Sequence, residues 1–393
     1  MNFGITDQPR YQEFRKFVRE FVAKEIEPYA EHTDRTGEYP ERQLKAMVRE
    51  HFTGYTIPKE YGGEGKNLME LAIVMEEFAR SCPSSAIVMT IYLMGVYPLL
   101  LAGTEEQKKK YLPLFAKAER TPGFALSEAH CGSDAAALST TAVLDGDEWV
   151  LNGHKFFVGN GSKSDTYFVF AKTDPEKGNK GITCFLVESS TPGFKEGKIY
   201  DKMGLNGQRT AEFYLENCRI PKENMIGELN KGFKVAMGAL DKARVLVAAE
   251  SVGISEAALA EAANFASSRE AFGQKIGDFQ GISFKLADMA AKLQAAKLCC
   301  YRAASMEEHI DEIGGRNQFS TECSIAKLYC AEVCNQIVYD ATQIFGGRGI
   351  LKGMKVERLY RDARVMTLFE GSSEIQRMVI GRNVLTGKWV CEI

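Results

Sequence analysis

Thr166-Tyr-Phe-Val-Phe-Ala171 and Ile182-Thr-Cys-Phe-Leu-Val187 are compact runs of β-branched and aromatic residues, each bounded by Ser, Asp, Gly or Lys. Trp149-Val-Leu151 and Glu212-Phe-Tyr-Leu215 have the same texture. Such runs favour a pleated, half-buried backbone, and turn-forming residues between them stop any helix from growing. Between Thr121 and Lys231 no run is long enough for a convincing helix, so strand–helix–strand crossovers have nothing to build them. The section predicts a small antiparallel β domain.

The texture on either side is different. Upstream, Tyr11, Phe14, Phe17, Val18, Phe21, Val22 and Ile26 recur at three- and four-residue spacing, and the pattern stops at Pro28. Leu44 and Met47, then Leu68, Leu71, Met75 and Phe78, continue it, with turns at Pro58 and Gly62-Gly63. Downstream, Leu240–Phe272, Phe279–Ile313, Phe319–Phe345 and Glu370–Leu385 are four long, amphipathic, Ala-rich segments, which suggest an antiparallel bundle. The expected fold is α+β and mostly α: an N-terminal helical domain over 1–120, a middle antiparallel β domain over 121–231 and a C-terminal four-helix bundle over 232–393.

At 393 residues the chain can build two or three cores. A net charge of −3 with both signs mixed, and no long Lys/Arg block, argues against nucleic acid as the main partner. The ten cysteines are scattered, several inside apolar helical patterns, and read as small buried residues of a reducing compartment. Cys330 and Cys334 share a helix face, but no histidine or second cysteine pair at ligand spacing supports a metal. From Ser84 to Gly103 no residue is charged. The run is long enough to span a membrane, yet it holds Tyr92, Gly95, Tyr97 and Pro98 and flows into a polar segment. A buried helix beside a core or apolar pocket is the better reading, and the protein is expected to be soluble.

Four constellations could carry chemistry. Phe124-Ala-Leu-Ser-Glu-Ala-His-Cys-Gly-Ser-Asp134 favours a loop whose N–H groups can face an anion. Arg269-Glu-Ala-Phe-Gly-Gln-Lys-Ile-Gly-Asp-Phe-Gln280 has an ordinary C-cap signal in Gly273, though Arg269 beside Phe272 could hold a phosphate and stack a ring. Gln343-Ile-Phe-Gly-Gly-Arg-Gly349 follows a helix and is no Rossmann fingerprint; it is either a C-cap and turn or a close backbone approach to a pyrophosphate. Leu368-Phe-Glu-Gly-Ser-Ser-Glu-Ile-Gln-Arg377 follows Tyr360-Arg-Asp-Ala-Arg364. Taken alone, its Glu370 reads as an acid at a helix N-terminus, with Ser372 or Ser373 as N-cap.

These four motifs, in this order and at these separations, resemble the acyl-CoA dehydrogenase family over essentially the whole chain, with the short-chain, butyryl-like branch most similar. The resemblance implies bound FAD and, usually, a homotetramer. By motif, Phe124, Leu126, Ser127 and Ser133 would line the flavin, as would Phe157, Val158 and Gly159; Ser133, Asp241, Arg244 and Gly371 would touch the acyl-CoA. Arg269, Phe272, Gln280, Gln343, Gly346 and Gly347 would hold the adenine and pyrophosphate across a subunit interface. Ser372 and Glu374 would add further FAD contacts. Glu370 would be the catalytic base.

The chemistry gives these residue types a purpose. A thioester α-proton is weakly acidic, so its removal needs a positioned base and a stabilised enolate oxygen. A carboxylate in an apolar pocket has its pKa raised towards working pH. The implied reaction removes the α-proton with hydride loss from Cβ to the flavin, and passes electrons to an electron-transferring flavoprotein. Some members carry the base on the first bundle helix; here Leu240-Asp-Lys-Ala-Arg244 has no glutamate, so Glu370 has no evident rival. The Ala86–Leu101 helix would lie along the acyl chain. It carries no cation for a second carboxylate, which favours an apolar acyl group. Met89, Tyr92, Met94 and Tyr97 hint at a short or compact one, or are simply core.

The sequence departs from the family pattern at Ala129 (usually Pro), Ser372 (usually Thr), Phe157 (usually Trp) and Gly159 (usually a Thr whose hydroxyl bonds the flavin). Gly159 suggests a shifted flavin potential, an unusual acceptor, or room for a bulkier acyl group such as a ring. The expected function is dehydrogenation of an apolar, short or compact acyl-CoA. The alternatives are the same chemistry in reverse, an enoyl-CoA reductase; an oxidase; or a non-catalytic flavin-binding interaction protein. No targeting presequence is evident. A bacterial cytoplasm is expected, with a mature mitochondrial matrix form the other option.

Overall fold

The computed structural model of the chain describes residues 8–312 and 314–391. Helices come first: α1 (Pro9–Glu25), α2 (Ala30–Thr36), α3 (Glu41–Arg49), α4 (Leu68–Ser81), α5 (Pro83–Ala102) and α6 (Glu105–Ala116). α1 buries Tyr11, Val18, Phe21 and Val22, the spacing of its apolar residues, and ends just ahead of Glu27-Pro28, where the ring of a proline disfavours helix in the residue before it. α4 and α6 both open on capping boxes. Asn67 accepts from the Glu70 N–H while Glu70 reaches back to the Asn67 N–H, and Thr104 and Gln107 do the same.

α5 is apolar on every face and passes the length and composition test for a membrane span, yet 83% of that window is buried inside the protein. It is a core helix. The 20-residue charge-free run therefore reflects neighbours on all sides.

The sheet comprises β1 (Pro122–Ala125), β2 (Thr141–Asp145), β3 (Glu148–Gly159), β4 (Thr166–Lys172), β5 (Ile182–Glu188), β6 (Phe194–Ile199), β7 (Thr210–Pro221) and β8 (Met225–Ile226). Its order is β6-β7-β3-β2-β4-β5-β8, with β1 beside β4. All four runs singled out in the sequence are strands. The expected antiparallel sheet is mostly that, with one refinement: β1 runs parallel to β4 from Pro122↔Thr166 to Ala125↔Val169, and β2 touches β4 in parallel at Thr141↔Lys172. The chain makes no hairpin from β1 into β4; a loop and the β2–β3 hairpin intervene, so β1 can lie alongside in the same direction. β6, Phe-Lys-Glu-Gly-Lys-Ile, escaped the reading because it is an edge strand rich in charge.

The last section holds α7 (Gly232–Ser268), the β9 (Glu270–Ala271) and β10 (Gln274–Lys275) hairpin, α8 (Gln280–Ser305), α9 (Arg316–Phe345), α10 (Lys355–Ala363) and α11 (Ser373–Leu385). Several boundaries differ from expectation. α7 starts at Gly232, where a Cβ would lie 2.5 Å from the Cys184 nitrogen, so a glycine lets the helix abut the sheet. Gly273 is no C-cap: it and Phe272 have φ of 82° and 54° and turn the two-residue β9–β10 hairpin. The second bundle helix ends at Ser305; Ile313, its expected end, lies outside the described residues.

α7 is the spine. It packs on α4, α5, α8 and α9, and at Gly253 it approaches α4 so closely that a Cβ would lie 2.1 Å from the Glu76 carbonyl oxygen. Buried charges tie the same helices together. Arg15 of α1 bonds Glu76 and Glu77 of α4 and Tyr301 of α8, and Lys297 of α8 pairs with Glu76 at 3.1 Å. The ten cysteines are free, and all except Cys299 and Cys391 are buried.

Candidate active site

Glu370 is not the helix-terminal acid it resembles in isolation. Ser372 is the N-cap of α11, its Oγ accepting from the Ile375 N–H at 3.5 Å, and the acid of the first turn is Glu374. Glu370 lies two residues ahead of that cap, in a loop, with φ of 53°. Non-glycine residues rarely adopt this left-handed conformation, and where they do it is often at a functional site. Gly371 follows at φ 88°.

Two buried side chains hold this loop. Lys327 Nζ of α9 donates to the Gly371 carbonyl at 2.8 Å. Gln376 Nε2 donates to the carbonyls of Gly371 and Glu370, at 2.8 and 3.2 Å. The peptide is thus fixed through its carbonyls while the carboxyl is left alone: Glu370 Oε2 is shielded from solvent and has no hydrogen-bond partner among the described residues. Burial pushes the carboxyl up to about 7, against the opposing charges of Lys327 and Arg244. Lys327 is itself pushed down to about 8 by burial, partly offset by Glu370.

Asp241 and Arg244 pair one helical turn apart on α7, Nη1 to Oδ1 at 2.9 Å, with Ser320 Oγ donating to the same Oδ1 at 2.7 Å. Arg244 Nε is buried and unpartnered. The 124–134 loop meets the end of β3 through the Phe156 N–H, which donates to the Ser127 carbonyl at 2.9 Å. A β-bulge between Lys155 and Val158 turns Phe157 (φ 50°) outward, 64% exposed, while Val158 faces the core. Asn160 Nδ2 donates to the Val88 carbonyl at 2.9 Å and ties this end of the sheet to α5.

Glu128, His130 and Cys131 come within ligand distance of one another. Yet Glu128 already accepts five hydrogen bonds, from the N–H and hydroxyl of Ser139 and of Thr140 and from Lys155 Nζ at 2.8 Å. That makes it an anchor for the 124–134 loop. Burial works against its charge, but Lys155 and the hydroxyl donors outweigh it and hold the carboxyl at about 2.

The remaining motif residues form a second group. Phe265 and Phe345 stack at 4.3 Å, bringing the end of α7, which leads into Arg269, Phe272 and Gln280, beside the end of α9, which carries Gln343 and leads into Gly346 and Gly347. All six side chains or backbones face outward; Phe272 is 97% exposed, and nothing lies within 4 Å of a Cβ at Gly346 or Gly347. About three-quarters of α7 separates Arg269 from Asp241, about 40 Å at the helical rise. The structure therefore places the motif residues in two regions of one protomer. Two surface hollows of about 490 and 460 Å³, beside Tyr339 and Arg364 and beside Tyr39 and Arg209, lie apart from Glu370.

Sequence reading missed four residues here. Lys327 was hidden among polar positions of α9. Glu250, wholly buried on α7, lies beyond the Leu240–Arg244 stretch where some family members carry their base. Its signal was present: one charge in Val245-Leu-Val-Ala-Ala-Glu-Ser-Val252. Thr90 and Ile91 of α5 were overlooked in favour of bulkier neighbours. Tyr92, by contrast, donates to the carbonyls of Phe115 and Arg120 at 2.6 and 3.1 Å and is core. Ile91 also corrects the expectation of extra room at Gly159, because its Cδ1 lies 2.4 Å from where a Cβ would be.

A helical layer, a mixed sheet and a helical bundle around a loop-borne buried carboxyl is the architecture of a flavin-dependent acyl-CoA oxidoreductase. Profiles of the acyl-CoA dehydrogenase N-terminal, middle and C-terminal domains match residues 8–119, 123–218 and 230–385. The chain is 45% identical to the 3-(aryl)acrylate reductase of Clostridium sporogenes, covering 96% of this chain and 98% of that one. It is 44% identical to the caffeyl-CoA reductase–Etf complex subunit CarC of Acetobacterium woodii, covering 94% and 97%. It superposes on butyryl-CoA dehydrogenase from Megasphaera elsdenii with a TM-score of 0.93 at 37% identity, covering 98% and 100%. The chain belongs to the acyl-CoA dehydrogenase family and is an FAD-dependent oxidoreductase. Its residues suit that cofactor: the backbone at Gly132, Gly346 and Gly347 opens onto free space, and Phe157 and Phe272 offer exposed ring faces.

Proposed function

We propose that the protein interconverts a compact saturated acyl-CoA and its 2-enoyl-CoA, with Glu370 as the group that takes or returns the α-proton. The observation that carries this reading is the Glu370 Oε2 atom, buried, unpartnered and held by a left-handed loop. A carboxyl whose backbone is pinned by Lys327 and Gln376 keeps its position as its charge changes. Its pKa near 7 lets it act as base or acid at neutral pH. Bound FAD supplies the hydride acceptor or donor at Cβ.

In this reading residues 1–120 wall the acyl chain, 121–231 carry the flavin edge through Phe124, Leu126, Ser127, Ser133, Phe157, Val158 and Gly159, and 232–393 supply the base. Ser133, Asp241, Arg244 and Gly371 bind the acyl-CoA, and Ser372 and Glu374 complete the flavin contacts. Arg269, Phe272, Gln280, Gln343, Gly346 and Gly347 take the adenine and pyrophosphate of a cofactor held mainly by another copy. The long separation along α7 supports that cross-subunit assignment, and exposed Phe272, Phe284, Ile350, Met378 and Leu385 suit a homotetramer. An electron-transferring flavoprotein is the redox partner in this proposal, supported by the Etf complex of the Acetobacterium relative.

The reductive direction is the second reading. Two similar relatives are named reductases, and a carboxyl that keeps its proton to about pH 7 is ready to protonate Cα. Anaerobic titration of the purified flavoprotein with linear, cyclic and aryl acyl-CoAs separates the two. Bleaching by one narrow saturated class supports dehydrogenation; reoxidation of chemically reduced flavin by an enoyl-CoA, with no bleaching, supports the reductase. Silence in both directions would defeat the proposal.

A further inference from the structure

Glu250 is a second buried carboxyl beside the first. It projects from α7, and its side chain has no solvent exposure. Thr90 Oγ1 of α5 donates to Glu250 Oε1 at 2.6 Å, and Oε2 has no hydrogen-bond partner among the described residues. The other polar side chains of this stretch are satisfied: Ser251 Oγ donates to the Val247 carbonyl at 2.8 Å and Ser255 Oγ to the Ser251 carbonyl at 2.7 Å. Leaving one buried carboxyl oxygen unbonded is costly unless something else bonds it.

Its surroundings say where that partner would come from. Thr90 precedes Ile91, whose side chain packs against Gly159 at the end of β3. On α7, Ala243, Val247 and Glu250 fall on one face. Glu370 is near enough for its charge to act on Glu250; burial pushes the Glu250 carboxyl up, the Thr90 bond opposes this, and Glu370 adds to it, for a value of about 8. Burial and the neighbouring Glu370 both favour the protonated form, which gives Glu250 a hydroxyl to donate. α4 closes the far side, where Gly253 meets the Glu76 carbonyl.

We infer that Glu250, steadied by Thr90, reads a hydroxyl at the far end of the acyl group, so that the substrate is a compact acyl-CoA with a polar tip on an otherwise apolar body. This rests on the proposed acyl-CoA chemistry at Glu370 and refines the expectation of a wholly apolar acyl group. A second carboxylate on the substrate gains nothing from such a wall, because it would face two acids.

The test uses FAD-loaded enzyme carrying Glu370→Gln, so that binding is read from the flavin spectrum without turnover. Two pairs of ligands are compared: 3-phenylpropionyl-CoA with 3-(4-hydroxyphenyl)propionyl-CoA, and butyryl-CoA with 4-hydroxybutyryl-CoA. In at least one pair the hydroxylated member is expected to bind roughly tenfold tighter, the scale of one buried hydrogen bond. Adding Glu250→Leu, or Glu250→Met where leucine does not give folded protein, is expected to erase the difference. Equal affinities in both pairs, or a preference that survives loss of Glu250, would overturn the inference. Flavin bleaching or reoxidation in the enzyme with Glu370 intact reports separately on the proposed reaction, so the two ideas fail independently.

Discussion

Ile91 Cδ1 lies 2.4 Å from the position a Cβ would take on Gly159. The two residues share one volume: the helix supplies the side chain and the sheet withholds one. Overpacking a filled core costs about 1–3 kcal/mol. Gly159→Thr alone is therefore expected to lower stability by that order and to perturb flavin binding, while Gly159→Thr with Ile91→Ala recovers most of the loss. Thermal melts of the four proteins form a double-mutant cycle. Additive effects would mean that the two positions do not compete.

The pH dependence of the two directions should mirror each other. In the proposed reaction Glu370 must be ionised to accept the α-proton and protonated to return it. With its pKa near 7, bleaching by saturated substrate is expected to rise with pH through a midpoint near 7, and reoxidation by enoyl-CoA to fall. Lys327 and Arg244 hold that pKa down, so Lys327→Met should move both midpoints upward. Stopped-flow pH profiles of the flavin absorbance give the answer; unmoved midpoints would remove Lys327 from the site's electrostatics.

Glu370→Gln keeps the shape and removes the proton acceptor. A loss of about 10²–10⁴-fold in α-proton removal is expected, with FAD retained. Exchange of the substrate α-hydrogen with deuterated solvent measures this step directly. Exchange at the wild-type rate would assign the base elsewhere.

Lys155 and Glu128 anchor the 124–134 loop to β3 inside the protein. Lys155→Met strands a buried carboxylate, and a cost of about 3–5 kcal/mol follows. The wild-type pair also sets an acid limit. Because Glu128 titrates near 2 in the folded chain and near 4.5 when unfolded, its stabilisation is complete above about 4.5 and is lost as pH falls towards 2. Denaturant melts of both proteins between pH 6 and pH 3 should show a slope in the wild type that is weaker in the variant.

Much of this was legible beforehand, for physical reasons that differ by region. The strands at Thr166 and Ile182 announced themselves because both faces are buried, which makes their residues continuously apolar. The edge strand at Phe194 did not, because an edge must repel partners with charge. Glu370 stands out through its neighbours in sequence, Gly371 and Ser372, as a candidate. Its supports Lys327 and Gln376 could not be found that way, since they are set by how α9 and α11 pack. Ile91 and Glu250 carry no motif; what matters about each is the residue opposite, and opposition across helices is a property of the fold.

The length of α7 has a consequence for genetics. Arg269 and Glu370 stand in separate regions of each copy, so an assembly that joins the two regions between copies splits each working centre over two chains. On the proposed roles of the two residues, a preparation of Arg269→Ala and another of Glu370→Gln would each be inactive. Dissociated and reassembled together, they would generate some centres with both residues intact, and activity would return from two dead parents.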